Sequence, residues 1–148
     1  MDEMSMTRIR ELTIGDYDDM VRLWERGRIP FKPKGRDSRE EIRRQMRKNA
    51  ELFLGVFDER LLVGVVVGSH DGRKGWINRL AVSRECRRKG IAQLLLACVE
   101  KALRKRGARI FCALVEESNL ESINLFRKQG YLIHRDILYL SKREGEDV

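Results

Sequence analysis

The stretch Leu80-Ala81-Val82-Ser83-Arg84-Glu85-Cys86-Arg87-Arg88-Lys89-Gly90-Ile91-Ala92 decides how the rest of the chain is read. Its first residues end a β-rich run, its middle is a basic loop, and Gly90 opens the most regular helical pattern in the sequence. A helix start leaves backbone N–H groups without intrahelical partners and carries the positive end of the helix dipole, so it attracts anions. Small residues at Gly90 and Ala92 let a phosphate approach the backbone, and Arg87, Arg88 and Lys89 add positive charge. A solvated basic turn before an ordinary helix accounts for the same residues. The stretch is neither a Walker loop nor a full dinucleotide fingerprint.

Working outward, Ile91, Leu94, Leu95, Cys98, Val99 and Ala102 recur at helical spacing and predict a helix over 89–106, stopped by Gly107. Upstream, 7–12 alternates as a strand, and Tyr17, Met20, Val21 and Trp24 form the stripe of a helix that ends near Gly27. A loop, 28–36, carries both prolines, Phe31 and a cluster of basic residues. Asp37 or Ser38 then caps a second helix with Ile42 and Met46 facing inward. Runs 52–57, 61–68 and 75–82 read as three strands joined by turns at 58–60 and 71–73. Downstream come a strand over 109–115, a helix opened by the capping pattern Ser118-Asn119-Leu120-Glu121, and strands over 131–134 and 137–140. This order describes an α/β domain with a mixed sheet of about seven strands and about four helices.

The length of 148 residues fits one domain over 1–148, with short flexible tails at 1–5 and 143–148. A chain of that size buries roughly 70% of its unfolded surface and needs no staples. The longest apolar run, 94–99, falls far short of the ~20 residues that span a bilayer. The acidic, polar first residues are unlike a signal peptide, so a cytoplasmic protein without membrane contact is expected. Cys86, Cys98 and Cys112 with His70 and His134 suit neither a disulfide framework nor a metal site. Cys86 and Cys112 lack a histidine motif that would make either a nucleophile. Lys+Arg 31 against Asp+Glu 23 leaves a net charge of +8, which raises a polyanion partner. The basic residues are dispersed, however, with no nucleic-acid motif among them.

Arg87-x-x-Gly90-x-Ala92 after Leu80-Ala81-Val82 resembles the acetyl-CoA signature R/Q-x-x-G-x-G/A of the GNAT N-acetyltransferases. Asn119 and the segment Ile123-Asn124-Leu125-Phe126-Arg127-Lys128-Gln129-Gly130-Tyr131 resemble that family's N…A-x-x-L-Y-x-K-x-G-F pattern, and the element order is similar throughout. The resemblance implies a sheet splayed between its fourth and fifth strands, with pantetheine lying along the fourth. It implies that Leu80, Ala81 and Val82 meet the pantetheine arm, with the Leu80 amide polarising the thioester carbonyl. Arg87, Arg88, Lys89, Gly90, Ile91 and Ala92 would hold the pyrophosphate, Asn119 the arm, and Phe126 would lie against the cofactor. Asn119 also fits a helix cap, and Lys128 would either reach the cofactor or be a solvated helix lysine.

The implied reaction moves acetyl from acetyl-CoA directly to an amine on a small molecule or a protein. The amine must be neutral to attack, and the departing thiolate must be stabilised. Here the chain departs from the family pattern, because the usual general-acid tyrosine is Phe126. Positions where relatives carry a base correspond to Trp76 and Leu114. The weak candidates are Glu116 and Glu117, beyond the fifth strand, and Asn78 on the fourth. The basic loop 28–36 suggests an acceptor bearing negative charge, such as an acidic peptide or a phosphorylated or carboxylated metabolite. A solvated loop explains it equally. A CoA-binding sensor without efficient catalysis is an alternative motivated by Phe126, and a basic nucleic-acid module is a third. The terminal hairpin offers an edge for a homodimer.

Overall fold

The computed structural model describes residues 7–148 and contains β1 (Thr7–Glu11), α1 (Tyr17–Arg26), α2 (Arg39–Asn49), β2 (Phe53–Asp58), β3 (Leu61–His70), β4 (Gly75–Val82), α3 (Ile91–Lys105), β5 (Phe111–Ala113) and α4 (Leu120–Lys128). The expected tail at 1–5 lies outside the described residues. β1 to β4 pair in sequence as an antiparallel meander, and β5 adds to β4 in parallel. The result is an α/β fold with a mixed five-stranded sheet and four helices.

Because successive strand residues point to opposite faces, the sheet sorts its apolar side chains into two cores. Val65, Val67 and Ala81 join Trp24, Met20, Ile42 and Met46 under α1 and α2. Val66 and Ile77 join Ile91, Leu95, Val99 and Leu103 under α3. Two bulges adjust this alternation, one in β3 at Val63 and one in β4 at Asn78, each the extra residue at a register shift. At the start of α1, Asp16 accepts paired bonds from Arg10 at 2.9 and 3.0 Å, which ties β1 to the helix that follows.

Several expectations need correction. The fifth strand spans only Phe111–Ala113 rather than 109–115. Residues 131–134 and 137–140 enter no β-ladder, so the sheet has five strands, not seven. Their alternation is present, but nothing covers it. Leu132, Leu138 and Leu140 are more than 80% exposed, and a three-residue β5 is a short template for further pairing. On α3, Leu94 sits at the surface, while Leu96 and Leu103 are buried. The apolar face is therefore rotated toward Leu96 relative to the stripe read from the sequence.

The position of α3 follows from Gly64. A Cβ at Gly64 would lie 2.8 Å from Ile91 Cγ2 and 3.0 Å from Leu95 Cδ1, so glycine sets how closely the helix start lies on β3. Gly64→Val should cost about 1–3 kcal/mol by overpacking. Urea denaturation should show a lower midpoint with an unchanged slope.

Candidate functional site

The groove begins where the sheet stops being continuous. Gly75, Trp76 and Ile77 of β4 pair with Phe111, Cys112 and Ala113, and β4 then runs on to Val82 without β5 beside it. On the other edge, the Ser83 N–H donates to Val63 O at 2.7 Å. Antiparallel pairs alternate between bonded and non-bonded, so Ala81 and Arg79 also turn their backbone groups toward β3. Leu80 and Val82 therefore turn their N–H and C=O groups the opposite way, toward the gap left by β5. Buried or half-buried backbone groups in such a position need a partner.

The loop that follows carries the second feature. A short 3-10 turn at Arg84–Cys86 leads to Arg88 at φ 67° and to Gly90 at φ 80°. These two left-handed residues turn the chain into α3, and Gly90 is its N-cap with no side chain to occupy the helix end. A Cβ at Gly90 would meet nothing within 4 Å, so the space above the first turn is open. Ile91 is buried and anchors the helix, which leaves only its backbone N–H for the groove. Ala92 beside it is half-buried. Across the gap, Arg87 Nη1 bonds Glu121 Oε2 of α4 at 3.1 Å, which ties the loop to α4. Asn119 is the N-cap of α4, its Oδ1 accepting the Ser122 N–H at 3.2 Å.

A cluster that sequence reasoning missed joins the loop between α1 and α2 to β4. Asp37 is 6% exposed, and its Oδ2 accepts the Lys32 N–H at 2.7 Å and Arg79 Nη2 at 2.9 Å. Tyr17 donates to the Asp37 carbonyl at 2.7 Å. Ser38, not Asp37, caps α2 by accepting the Glu41 N–H. Further turns, Gly35 N–H to Lys32 O and Ser38 N–H to Gly35 O, make 32–38 an ordered platform rather than a solvated loop. Phe31 seats it against Trp24, ring centroids 5.8 Å apart. The available signal was Arg79, a lone cation in an apolar strand that needed a buried acid.

The profile of the acetyltransferase (GNAT) family matches residues 17–131. The chain belongs to this family. Among solved structures it is similar to Ard1 from Thermoplasma volcanium, with a TM-score of 0.76 at 22% identity, covering 87% of this chain and 84% of that one. It is also similar to the PaiA N-acetyltransferase from Thermoplasma acidophilum in complex with coenzyme A, with a TM-score of 0.73 at 22% identity over 86% and 91%. A third similar structure is the NatC complex bound to Gag peptide and CoA, with a TM-score of 0.72 at 20% identity over 87% and 86%.

The position that the family resemblance gives to a tyrosine is Phe126 here. Phe126 is 8% exposed and packs edge-on against Tyr131 at 4.9 Å, a ring held in the core with no proton to give. The Tyr131 hydroxyl donates to Glu100 Oε2 on α3 at 2.6 Å. Burial first, and then the Glu100 hydrogen bond and charge, push its pKa up, so it parts with its proton reluctantly. Glu116 and Glu117 are exposed beyond β5. Asn78 occupies the β4 bulge and donates Nδ2 to Ser69 Oγ at 2.9 Å. Asp71 is held at about 2 by the Lys74 N–H, Trp76 Nε1 and the Arg73 N–H, which makes it a hairpin lock rather than a base. Among the described residues, no group of three or more His, Cys, Asp or Glu could hold a metal ion, and no helix is long and apolar enough to cross a membrane.

The Asp37 cluster makes a direct prediction. Asp37→Ala leaves the half-buried Arg79 and the Lys32 N–H without their acceptor, at a cost of about 1–3 kcal/mol. The loop should then be cut faster by trypsin after Lys34 and Arg36, as mass spectrometry of early digests reads out. Unchanged cleavage would mean that Asp37 does not hold the loop.

Proposed function

We propose that the chain transfers acetyl from acetyl-CoA to an amine, with the anionic end of the cosubstrate at 87–92 and its pantetheine arm along β4. The observation that carries this is the adjacency of two features: the open β4 edge at Leu80 and Val82, and an uncapped helix start at Gly90 with free space above it. Both are main-chain donor surfaces without a main-chain partner among the described residues, and they suit an elongated molecule with a phosphate end. Acetyl-CoA supplies an activated acetyl thioester. The chain's part is to bind and orient it. Main-chain N–H groups at the start of α3, with Arg87, Arg88 and Lys89, hold negative charge. The Leu80 N–H polarises a carbonyl. Asn119 caps α4 and keeps that wall of the groove in place.

The acceptor, a small molecule or a protein amine, enters from the side of the α1–α2 loop, opposite α3. Asn78, in the bulge next to Arg79, is placed to orient it. Glu116 and Glu117 are weak as bases because exposure leaves their carboxylates solvated, so the amine loses its proton to water. Nucleic acid is not needed to explain the charge.

Phe126 favours one second reading, a CoA-binding sensor with little turnover. Calorimetry and thiol release separate the two. Acetyl-CoA should bind saturably, and Gly90→Glu should weaken it about tenfold or more, since a carboxylate on a left-handed residue faces the phosphates. Amine-dependent release of CoA thiol supports the transferase, and binding without release supports the sensor. Absence of binding by the folded protein overturns both.

Leu132, Ile137, Leu138 and Leu140 are exposed in the segment that follows α4, and Leu132 lines a recess of about 330 Å³ with Arg127, Tyr131, Ile133 and Arg135. With the unpaired outer edge of β5, they support a homodimer in which each copy covers the other's apolar segment. Light scattering should give twice the monomer mass, and Leu138→Glu should return it to one copy.

A further inference from the structure

The acidic end of the chain lies on the basic platform. Lys32 Nζ donates to the Glu146 carbonyl at 3.1 Å, and the Gly35 backbone approaches so closely that a Cβ there would collide with the Asp147 carbonyl oxygen. The Val148 N–H turns back to Gly145 O, and Arg143 Nη1 donates to the Val148 oxygen at 2.8 Å, closing the segment on itself. The loop supplies Arg28, Lys32, Lys34 and Arg36, and the segment supplies Glu144, Glu146 and Asp147.

Two properties of this contact identify what the platform recognises. First, both contacts are made to main-chain carbonyls, by a lysine ammonium and by a glycine that admits another backbone. Such groups read a polypeptide rather than a phosphorylated metabolite. Second, the cations around them favour acidic side chains at the same place. The platform is fixed to β4 through Asp37 and Arg79, and Arg79 directly precedes Leu80. A peptide seated on it is therefore adjacent to the proposed transfer site. Residues 143–148 contain no lysine, so the segment occupies the platform without offering an amine.

We propose that 143–148 is an internal competitor at the acceptor subsite and that the acceptor it displaces is an acidic peptide. This rests on the acetyl-transfer reading for the identity of the site but not for its test. A fluorescently labelled acidic peptide carrying one lysine is titrated against the full chain, a chain ending at Lys142, and the full-length variant with Glu144→Gln, Glu146→Gln and Asp147→Asn. If the segment is docked nine-tenths of the time, removing it tightens peptide binding about tenfold. The neutralised variant should fall between, the gain should shrink with added salt, and Lys32→Ala in the shortened chain should abolish it. Equal affinity for full and shortened chains, or preference for a basic control peptide, overturns the proposal. Calorimetry with acetyl-CoA runs in parallel. Loss of acetyl-CoA binding alone sinks the transfer reading and leaves the peptide result standing, whereas unchanged peptide affinity with normal acetyl-CoA binding sinks only the competitor.

Discussion

The structure depends on a strand that outruns its neighbour. β4 has β5 beside it for three residues and then continues alone, leaving the backbone groups of Leu80 and Val82 facing a gap. Among the described residues no protein group satisfies them, so water or a ligand is the partner they need. The remaining elements hold that gap in shape. Gly64 brings α3 down onto β3, which fixes where Gly90 and the following N–H groups stand relative to the end of β4. The Asn78 bulge adds one residue just where the strands part, and so sets which backbone groups turn outward.

The opposite face of the sheet is bound to the same strand by charge. Asp37 and Arg79 are both largely withdrawn from water, and a buried pair of this kind is a poor source of stability. Its effect is positional, since Asp37 also takes the Lys32 N–H and the loop backbone closes around it. The strand that presents Leu80 thus also carries the anchor for the platform on which the acidic terminus rests. Movement of the platform is coupled to β4 through one guanidinium.

The features legible in the sequence are those written in local pattern. The helix opened by Gly90, the Ser38 cap, the Asn119 cap and the meander hairpins all follow from spacing and turn chemistry within a few residues. The features that were not legible depend on distant partners. Asp37 looks like a cap until Arg79, 42 residues away, claims its carboxylate. The alternation over 131–140 reads as two strands, yet pairing needs a template, and β5 is too short to provide one. Leu96 and Leu103 are buried while Leu94 is at the surface, a choice made by what α3 packs against rather than by the helix's own period. The basic turn that opens α3 could be read from its residues. The order of the loop 32–38 could not, since it comes from contacts across 5 to 114 positions of sequence.

The buried ring at Phe126 bears on how demanding the proposed chemistry is. A thiol has a reference pKa near 8.5, so a thiolate is a far better leaving group than an alkoxide and does not require a proton in the transition state. General acid catalysis contributes roughly 10²- to 10⁴-fold where it operates, and a thioester has the least to lose from its absence. The basic loop and the positive end of α3 offer a field that favours developing negative charge without any proton transfer. Burden shifts instead to the nucleophile. With Asp71 locked by its own turn and Tyr131 bound to Glu100, neither group is free to take a proton from the amine. Under the proposed transfer, selectivity then depends on where the acceptor is held, and the ordered basic loop joined to β4 through Arg79 is the proposed holder.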